Sequence, residues 1–330
     1  MQIRIIKPGL LSTIQDMGRD LYLSQAVPVS GAMDSLSARI ANKAVGNTDN
    51  EAVIEFTYAD AAFIVETDLL IAYAGDGAIL KVDDKKLPPE RPIYIPAGTI
   101  IKLTNMPTGC RTYLTVAGGW DVPDVLGSKS TYLTAGFGGL EGRAFKACDE
   151  LNNGKLLSNI TQKIIGKLKA DHINYTKWSI PRQLLLPADR KSIRVVAANE
   201  FDWFDKQSIV GFLSTAYVIG QRSNRMGYHL EGATIDRIKK DELLSTAVTP
   251  GTIQITGNGS MVLLMADCQT TGGYPRIAQV AAVDIPLCAQ LKPGDAIYFK
   301  QINRDEAEML YLERERDLQR LTTAVHYKFL

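Results

Sequence analysis

The segment that follows Met261–Met265 carries a dense set of side chains that could do chemistry. It reads Asp267-Cys-Gln-Thr-Thr-Gly-Gly-Tyr-Pro275 and comes directly after an apolar strand pattern. Carboxylate, amide and hydroxyl groups at a strand end can orient a substrate, move a proton and donate to developing negative charge, and paired glycines allow close backbone approach. We predict a functional loop whose members are Asp267, Gln269, Thr270, Thr271, Gly272, Gly273 and Tyr274.

The segment Gln15-Asp-Met-Gly-Arg19 places a carboxylate and a guanidinium on either side of a glycine. The glycine lets the backbone turn sharply or approach a ligand, so Gln15, Asp16 and Arg19 are candidate site residues. The alternative is a local ion pair that closes a turn.

Residues 223–228 read Ser-Asn-Arg-Met-Gly-Tyr. The Arg225 guanidinium can make a two-pronged contact with a carboxylate, and Asn224 lies beside it. Both residues are therefore candidates for substrate binding, with an ordinary surface cation as the alternative for Arg225.

Two further glycine-containing segments remain open to two interpretations. Ser30 lies in Pro28-Val-Ser-Gly-Ala-Met-Asp34, which leads into a helix whose free N–H groups could bind a carboxylate or a phosphate, or which Asp34 could simply cap. Gly118 and Gly119 begin a stretch rich in glycine and hydroxyl groups, which suits a pocket wall or a run of hairpin turns.

Most standard catalytic signatures are absent from the sequence. It contains no phosphate-binding Gly-x-x-x-x-Gly-Lys-Ser/Thr loop, no Gly-x-Gly-x-x-Gly, no His-Glu-x-x-His and no Gly-x-Ser-x-Gly. We expect neither a histidine-centred triad nor a metal site. The four cysteines lack a Cys-x-x-Cys pair, so we predict buried thiols at Cys110, Cys148, Cys268 and Cys288.

The composition predicts a folded protein and gives no sign of a highly charged binding partner. Lysine and arginine total 37 of the 330 residues and acidic residues total 36, giving a net charge of +1 that would not attract nucleic acid or an anionic membrane. No apolar stretch approaches the ~20 residues of a membrane span, and the first residues lack the apolar core of a signal peptide. We therefore expect a cytoplasmic protein.

Short alternating segments dominate the chain and predict a mainly β protein with some α, built as barrels or sandwiches. Helices are predicted from Asp34 or Ser35 to Gly46 and from about Arg304 to Thr322. The clearest predicted strands are Ala62–Glu66, Leu69–Tyr73, Thr99–Leu103, Arg111–Val116, Ile193–Ala197, Thr252–Ile255, Met261–Met265 and Ala296–Ile302.

The pattern fades between Asn152 and Arg190, where lysine, asparagine and serine are frequent. Strand patterns resume at Ile193, so we predict two domains, residues 1–190 with this connector and residues 191–330 with the terminal helix. Similar strand and turn units in the two halves agree with two related barrels.

Taken in order, six loop motifs resemble the biotin-dependent carboxyltransferase family, which includes KipA and the C component of 5-oxoprolinase. The resemblance runs from about Ile5 to Phe299, nearly the whole chain. The motifs are Gln15-Asp-x-Gly-Arg19, Pro28-x-Ser-Gly-Ala-Met-Asp34, Ala117-Gly-Gly-x-Asp-Val-Pro123, Leu126-Gly-Ser-x-Ser-Thr-Tyr132, Ser223-Asn-Arg-Met-Gly227 and Gln269-Thr-Thr-Gly-Gly-Tyr-Pro275.

This resemblance implies two cyclophilin-like β-barrel domains and a partner similar to KipI, which in 5-oxoprolinase is the B component. The first functional hypothesis is the C component of an ATP-dependent 5-oxoprolinase, which with the A and B components opens 5-oxo-L-proline to L-glutamate. ATP would be used by the complex, and whether it binds this chain stays open. The chain has no Ala-Met-Lys-Met biotinylation motif, so we expect no biotin attachment.

In this hypothesis Arg19 and Arg225 hold a substrate carboxylate or a phosphoryl group, and Asp16 and Asp267 orient groups or relay protons. Residues 269–271 donate to developing negative charge. Two alternatives remain, a carboxyltransferase subunit that moves a carboxyl group from carboxybiotin to a urea-like acceptor, and a KipA-like regulatory protein that binds a KipI-like kinase inhibitor.

Overall fold

A computed structural model describes residues 1–239 and 241–329 and divides them into two compact units. Unit 1 comprises Met1–Arg19, Ser30–Leu185 and residues 316–329, and unit 2 comprises Asp20–Val29 and Leu186–Glu315. Two segments, residues 20–29 and 316–329, belong to the unit distant from them in sequence, and the division into domains at residues 1–190 and 191–330 stays a prediction. Contacts made by a short segment are not visible in its own residue pattern.

Unit 1 contains two six-stranded antiparallel sheets. Its twelve strands are β1 (Gln2–Pro8), β2 (Leu11–Gln15), β3 (Val53–Thr57), β4 (Ala61–Val65), β5 (Leu69–Gly75), β6 (Ala78–Val82), β7 (Lys85–Lys86), β8 (Ile93–Ile95), β9 (Ile100–Asn105), β10 (Arg111–Val116), β11 (Glu150–Asn152) and β12 (Asn174–Tyr175). The sheet orders are β11-β1-β4-β9-β6-β7 and β12-β8-β5-β10-β3-β2. Apolar residues from both sheets, among them Phe56 and Phe63, form one buried core with Trp120.

Two α-helices of the described residues lie wholly in unit 1. The first, α1 (Ser35–Ala44), begins at the predicted position, because the Asp34 carboxylate accepts from Ser37 N and caps it. The second, α2 (Asn159–Leu168), lies in the polar connector where no element was predicted. Three of its residues, Thr161, Ile164 and Leu168, are buried.

Unit 2 is a closed seven-stranded barrel with a separate two-stranded sheet. Its strands are β13 (Ser192–Ala197), β14 (Tyr217–Ile219), β15 (Gly227–Glu231), β16 (Thr246–Ala247), β17 (Thr252–Ile255), β18 (Met261–Leu264), β19 (Thr271–Gly272), β20 (Arg276–Val280) and β21 (Ala296–Gln301). The barrel order is β13-β20-β17-β18-β15-β14-β21, closed by the parallel pair β13 and β21, and β16 pairs with β19.

The remaining α-helices are α3 (Lys206–Ser214), α4 (Ile285–Ala289) and α5 (Arg304–Tyr327). Short 3₁₀ turns occupy Leu23–Gln25, Arg182–Leu185, Phe201–Trp203 and Ala282–Asp284. In the part of the chain that the structure describes, no helix is both long and apolar enough to cross a membrane.

The mainly β prediction is confirmed, and all eight predicted strands are present with ends shifted by at most two residues. The thiols of Cys110, Cys268 and Cys288 are buried as predicted. The prediction is wrong for Cys148, which is exposed. That residue lies in a turn at a φ of 70°, outside the alternating pattern that would bury it.

An aromatic cluster fixes α3 against the barrel. The rings of Phe212 and Phe299 stack with centroids 4.7 Å apart, and Tyr217 lies 5.9 Å from Phe299. All three side chains are buried. This cluster therefore joins the helix to strands β14 and β21 of the same unit.

We expect Phe212→Ala to lower the free energy of unfolding by about 3–5 kcal/mol, because it empties a fully enclosed aromatic site. Denaturant unfolding measures this loss. The matched control is Val210→Ala on the same helix, where the side chain is 64% exposed and the expected change stays within about 0.5 kcal/mol. Equal losses in both variants would contradict the packing described here.

Candidate functional site

Arg225 and Asp267 form a buried two-pronged ion pair in unit 2. Nε of Arg225 donates to Oδ2 of Asp267 at 2.8 Å, and Nη2 donates to Oδ1 at 3.0 Å. Only 6% and 5% of the two side-chain surfaces are exposed. The guanidinium thus makes the carboxylate contact expected from its chemistry, but the carboxylate is the protein's own.

Two strands of the barrel bring this pair together. Gly227 of β15 pairs with Leu264 of β18, and main-chain hydrogen bonds continue the ladder into the residues before β15 and after β18. Met265 N donates to the Met226 carbonyl at 3.0 Å, and Asp267 N donates to the Arg225 carbonyl at 2.9 Å. The backbone ladder therefore sets the two side chains opposite each other.

Exposed polar residues lie close in sequence to the buried pair, on the two loops that carry it. Asn224 lies next to Arg225, and Gln269 and Thr271 follow Asp267, all three exposed. The Tyr274 side chain is 51% exposed at the end of the same loop. Buried charges fix the loops while amide, hydroxyl and phenol groups face the solvent, an arrangement that can bind a small polar molecule.

The middle of the loop is held by its backbone. The Thr270 carbonyl accepts from Val248 N at 3.0 Å, and Thr271 and Gly272 form the short strand β19. A β-carbon on Gly273 would lie 3.3 Å from the Leu243 carbonyl oxygen. Thr270 itself is buried, so its hydroxyl is less accessible than that of Thr271.

Cys268 lies between the pair and the exposed amide of Gln269. Burial, together with the neighbouring Asp267 charge, raises the pKa of the Cys268 thiol to about 12. The side chain is therefore a neutral thiol at pH 7, without the thiolate that nucleophilic catalysis needs. It packs with Val248 and Leu264 as a small apolar group.

A second ion pair, which the sequence did not reveal, fixes the end of the loop. Arg276 donates through Nε and Nη2 to the Glu200 carboxylate at 2.6 and 2.7 Å, and its Nη1 donates to the Ala247 carbonyl. The Arg276 side chain, through its hydrogen bonds, holds the pKa of Glu200 below its ordinary value. The two residues are 76 positions apart, a separation at which no local pattern signals a contact.

In unit 1 a buried aspartate also holds loops together. Oδ1 of Asp16 accepts from Gly18 N at 2.8 Å, from Ser128 Oγ at 2.6 Å and from Ser130 Oγ at 2.5 Å, and Oδ2 accepts from Lys129 N at 2.7 Å. These four donors match the acceptor capacity of a carboxylate. Asp16 therefore fastens the segment at residues 15–19 to residues 128–130.

The neighbours of Asp16 are enclosed as well. The Arg19 side chain is almost fully buried, donates from Nη2 to the Ser130 carbonyl at 2.5 Å, and lies 5.0 Å from the ring centre of Phe137. Nε2 of Gln15 donates to the Thr131 carbonyl at 3.2 Å. These contacts place both side chains among protein groups, and their roles in substrate binding stay predictions.

The remaining predicted residues of unit 1 have a left-handed backbone conformation. Ser30 has a φ of 55° and is buried, and its Oγ has no hydrogen-bond partner among the described residues. Gly118 and Gly119 have φ of 84° and 69°. A β-carbon on Gly118 would lie 2.7 Å from the Gly154 carbonyl oxygen, so this turn requires a glycine.

The structure thus sorts the predicted site residues into two sets. Nine lie in unit 2, on the two loops joined by the buried pair, namely Asn224, Arg225, Asp267, Gln269, Thr270, Thr271, Gly272, Gly273 and Tyr274. Six lie in unit 1, namely Gln15, Asp16, Arg19, Ser30, Gly118 and Gly119. Within residues 1–239 and 241–329, no group of three or more His, Cys, Asp or Glu side chains could hold a metal ion.

We expect Arg225→Ala and Asp267→Ala each to lower the free energy of unfolding by about 3–5 kcal/mol, because each leaves a buried charge without its partner. The double variant should lose less than the sum of the two losses. Glu308→Ala, which breaks an exposed ion pair with Arg304, is the control and should leave stability almost unchanged. Additive losses in denaturant unfolding would contradict the pairing.

The Glu200–Arg276 pair gives a pH-dependent contribution to stability. Since the folded-state pKa of Glu200 lies below its ordinary value of 4.5, the contribution is present above that pH and fades as the pH falls through the folded-state pKa. We therefore expect the difference in unfolding free energy between the wild type and Glu200→Gln to shrink as the pH falls below 4.5. If this difference in unfolding free energy does not change with pH, the charge of Glu200 does not contribute to stability.

Comparison with known proteins identifies the chain by family. A model of the carboxyltransferase domain, subdomain A and B, matches residues 25–301. One relative is the C component, a subunit, of the 5-oxoprolinase of Escherichia coli. Its sequence is 35% identical to this chain, over 98% of this chain and 99% of its own length. The C component from Haemophilus influenzae is 32% identical over 96% of both chains.

A solved structure agrees with this result. The urea amidolyase of K. lactis superimposes with a TM-score of 0.85 at 28% identity, covering 97% of this chain. This chain corresponds to only 20% of the urea amidolyase chain. The protein therefore belongs to the family of carboxyltransferase domains with subdomains A and B.

Proposed function

We propose that this chain is the C component of an ATP-dependent 5-oxoprolinase, which with the A and B components converts 5-oxo-L-proline to L-glutamate. The observation that carries the proposal is the match to the E. coli C component, which spans 98% of this chain and 99% of that protein. That relative is named as one subunit of an enzyme, so we expect this chain to act only in a complex.

The chemistry to be done is the opening of a lactam. ATP transfers its γ-phosphoryl group to the lactam oxygen and leaves as ADP, water adds to the carbonyl carbon, the carbon–nitrogen bond of the ring breaks, and the nitrogen takes a proton. A second water then hydrolyses the resulting acyl phosphate to a carboxylate and inorganic phosphate. Negative charge develops on oxygen in the tetrahedral species formed as each water adds, and fixed hydrogen-bond donors stabilise it. The exposed amide of Gln269 and hydroxyl of Thr271 are the donors that we assign to this charge.

We assign a supporting role to the buried pair. The Arg225 guanidinium and the Asp267 carboxylate bind each other, so they fix the loops and keep Gln269 and Thr271 at defined positions. Asn224 lies next to Arg225 in the chain and Tyr274 lies at the end of the other loop; both are exposed and suit the polar substituents of a small carboxylic acid. Proton transfer by Asp267 would require the pair to open.

ATP is a substrate of the proposed reaction and supplies the phosphoryl group that activates the lactam oxygen. Two helix N-termini of this chain do not suit a phosphate. The amides at the start of α1 donate to Asp34, and those at the start of α3 donate to Asp205, so a phosphate would meet a carboxylate at either position. We therefore place no phosphoryl chemistry on these helices.

Carboxyl transfer to a urea-like acceptor is the second candidate. It is supported by the TM-score of 0.85 with the urea amidolyase of K. lactis, whose chain is about five times longer than the part matched here. A carboxyltransferase would need the biotin carrier and the carboxylase from other chains. The two candidates differ in their products, which are free glutamate and a carboxylated acceptor.

The test is glutamate release from 5-oxo-L-proline and ATP by this chain mixed with the A and B components, with each protein left out in turn. We expect glutamate only when ATP and all three proteins are present. Carboxylation of urea by the chain with a carboxybiotin carrier would instead establish the second candidate. Association with the partners without either product would contradict both and favour the regulatory alternative.

Within the active complex, Thr271→Val and Gln269→Leu should each lower kcat, and with it kcat/KM, by about 100- to 1000-fold, the range observed when a donor to developing negative charge is removed. The steady-state rate of glutamate formation measures the loss. The matched control is Thr234→Val, an exposed threonine of the same unit outside both loops. Activity unchanged in both loop variants would contradict this site.

A further inference from the structure

Gln254 is a buried polar side chain in the middle of a barrel strand. It lies on β17 between Ile253 and Ile255, and only 2% of its surface is exposed. Successive strand residues point to opposite faces, so Gln254 points away from the face on which the two isoleucines pack. A buried primary amide is costly unless its groups are hydrogen-bonded, so its partners are informative.

Those partners belong to the candidate loop at residues 269–274. Oε1 of Gln254 accepts from Nε2 of Gln269 at 3.4 Å, and Nε2 of Gln254 donates to the Tyr274 carbonyl at 3.4 Å. Between these two contacts, a β-carbon on Gly272 would lie 2.5 Å from Gln254 Nε2. The amide therefore contacts the beginning, the middle and the end of the loop.

An irregularity in the barrel places the loop against this amide. In the pairing of β17 with β20, Ile253 lies opposite Ala278 while Gln254 lies opposite Arg276, so β20 has one extra residue at this point. Such bulges redirect a strand and its side chains. Arg276 lies two residues after the loop and is bound to Glu200. The loop thus ends at a fixed point beside Gln254.

We infer that Gln254 is a positioning residue for the proposed reaction: its amide holds residues 269–274 so that the Gln269 side chain meets the substrate in one orientation. This inference rests on the proposed function. Gln254 itself is covered by the loop, so it acts through Gln269 and contacts no substrate. The backbone pairing of β16 with β19 keeps the loop attached when the amide is removed.

The kinetic test uses Gln254→Met, which keeps the length of the side chain and removes both hydrogen bonds. We expect kcat/KM for glutamate formation to fall about 10- to 100-fold, mainly through kcat, because misplacement of a catalytic group acts on the transition state. Gln279→Met is the matched control, since this glutamine of β20 bonds to Thr252 and Pro250 instead of the loop. Its activity should stay within about twofold of the wild type.

A double variant distinguishes positioning from a general loss of structure. If Gln254 acts through Gln269, then adding Gln254→Met to Gln269→Leu should lower kcat/KM little further than Gln269→Leu alone. Losses that multiply would overturn the inference. Unchanged activity of Gln254→Met in an active complex would overturn it too.

Hydrogen exchange tests the same inference without any turnover. In Gln254→Met the amides of residues 269–274 should exchange at least about tenfold faster than in the wild type, while those of β17 and β18 keep their protection. Unchanged exchange in the loop overturns the inference. If the wild-type complex releases no glutamate, the proposed function fails and this measurement alone decides the role of Gln254. Should Gln254→Met not fold, Gln269→Leu removes the same hydrogen bond from the exposed side and should give the same faster exchange.

Discussion

The buried pair of Arg225 and Asp267 is the contact on which the candidate site depends. It joins two loops that are 42 residues apart in sequence, and each charge is stable in the interior only because the other is present. The charged side chains and the neutral polar side chains of these loops therefore have different roles. Charged groups that look reactive in the sequence serve as the support, while the neutral donors of Gln269 and Thr271 remain accessible.

Unit 1 uses the same physical device at Asp16. Its carboxylate is surrounded by four donors from two loops, and the adjacent Arg19 is buried against Phe137. Glycine-containing loops lose much backbone entropy when they become ordered. In both units a buried aspartate, through its hydrogen bonds to partners, fixes such loops in place. In unit 2, Asp267 fixes the start of the loop and Gln254 fixes its middle.

Sequence reasoning succeeded where the physical signal is local. Alternation located the eight strands, and the Asp34 cap located the start of α1. The helix α2 was missed although Ile160, Ile164 and Leu168 recur at helical spacing, because the lysine, asparagine and serine around them are typical of a polar connector. The pairing of Arg225 with Asp267 could not be predicted, since the sequence shows two suitable charges but not the strand register that sets them opposite each other. Gln254 gave only a weak signal, a polar residue between two isoleucines.

The two loops joined by this pair are the surface that we expect to contact the substrate. Hydrogen exchange of the assembled complex, with and without 5-oxo-L-proline, tests this expectation most directly. We predict that the substrate slows exchange of the amides at residues 223–226 and 269–274, and that Thr271→Val weakens this protection. Substrate turnover without any change of exchange in these two loops would contradict it.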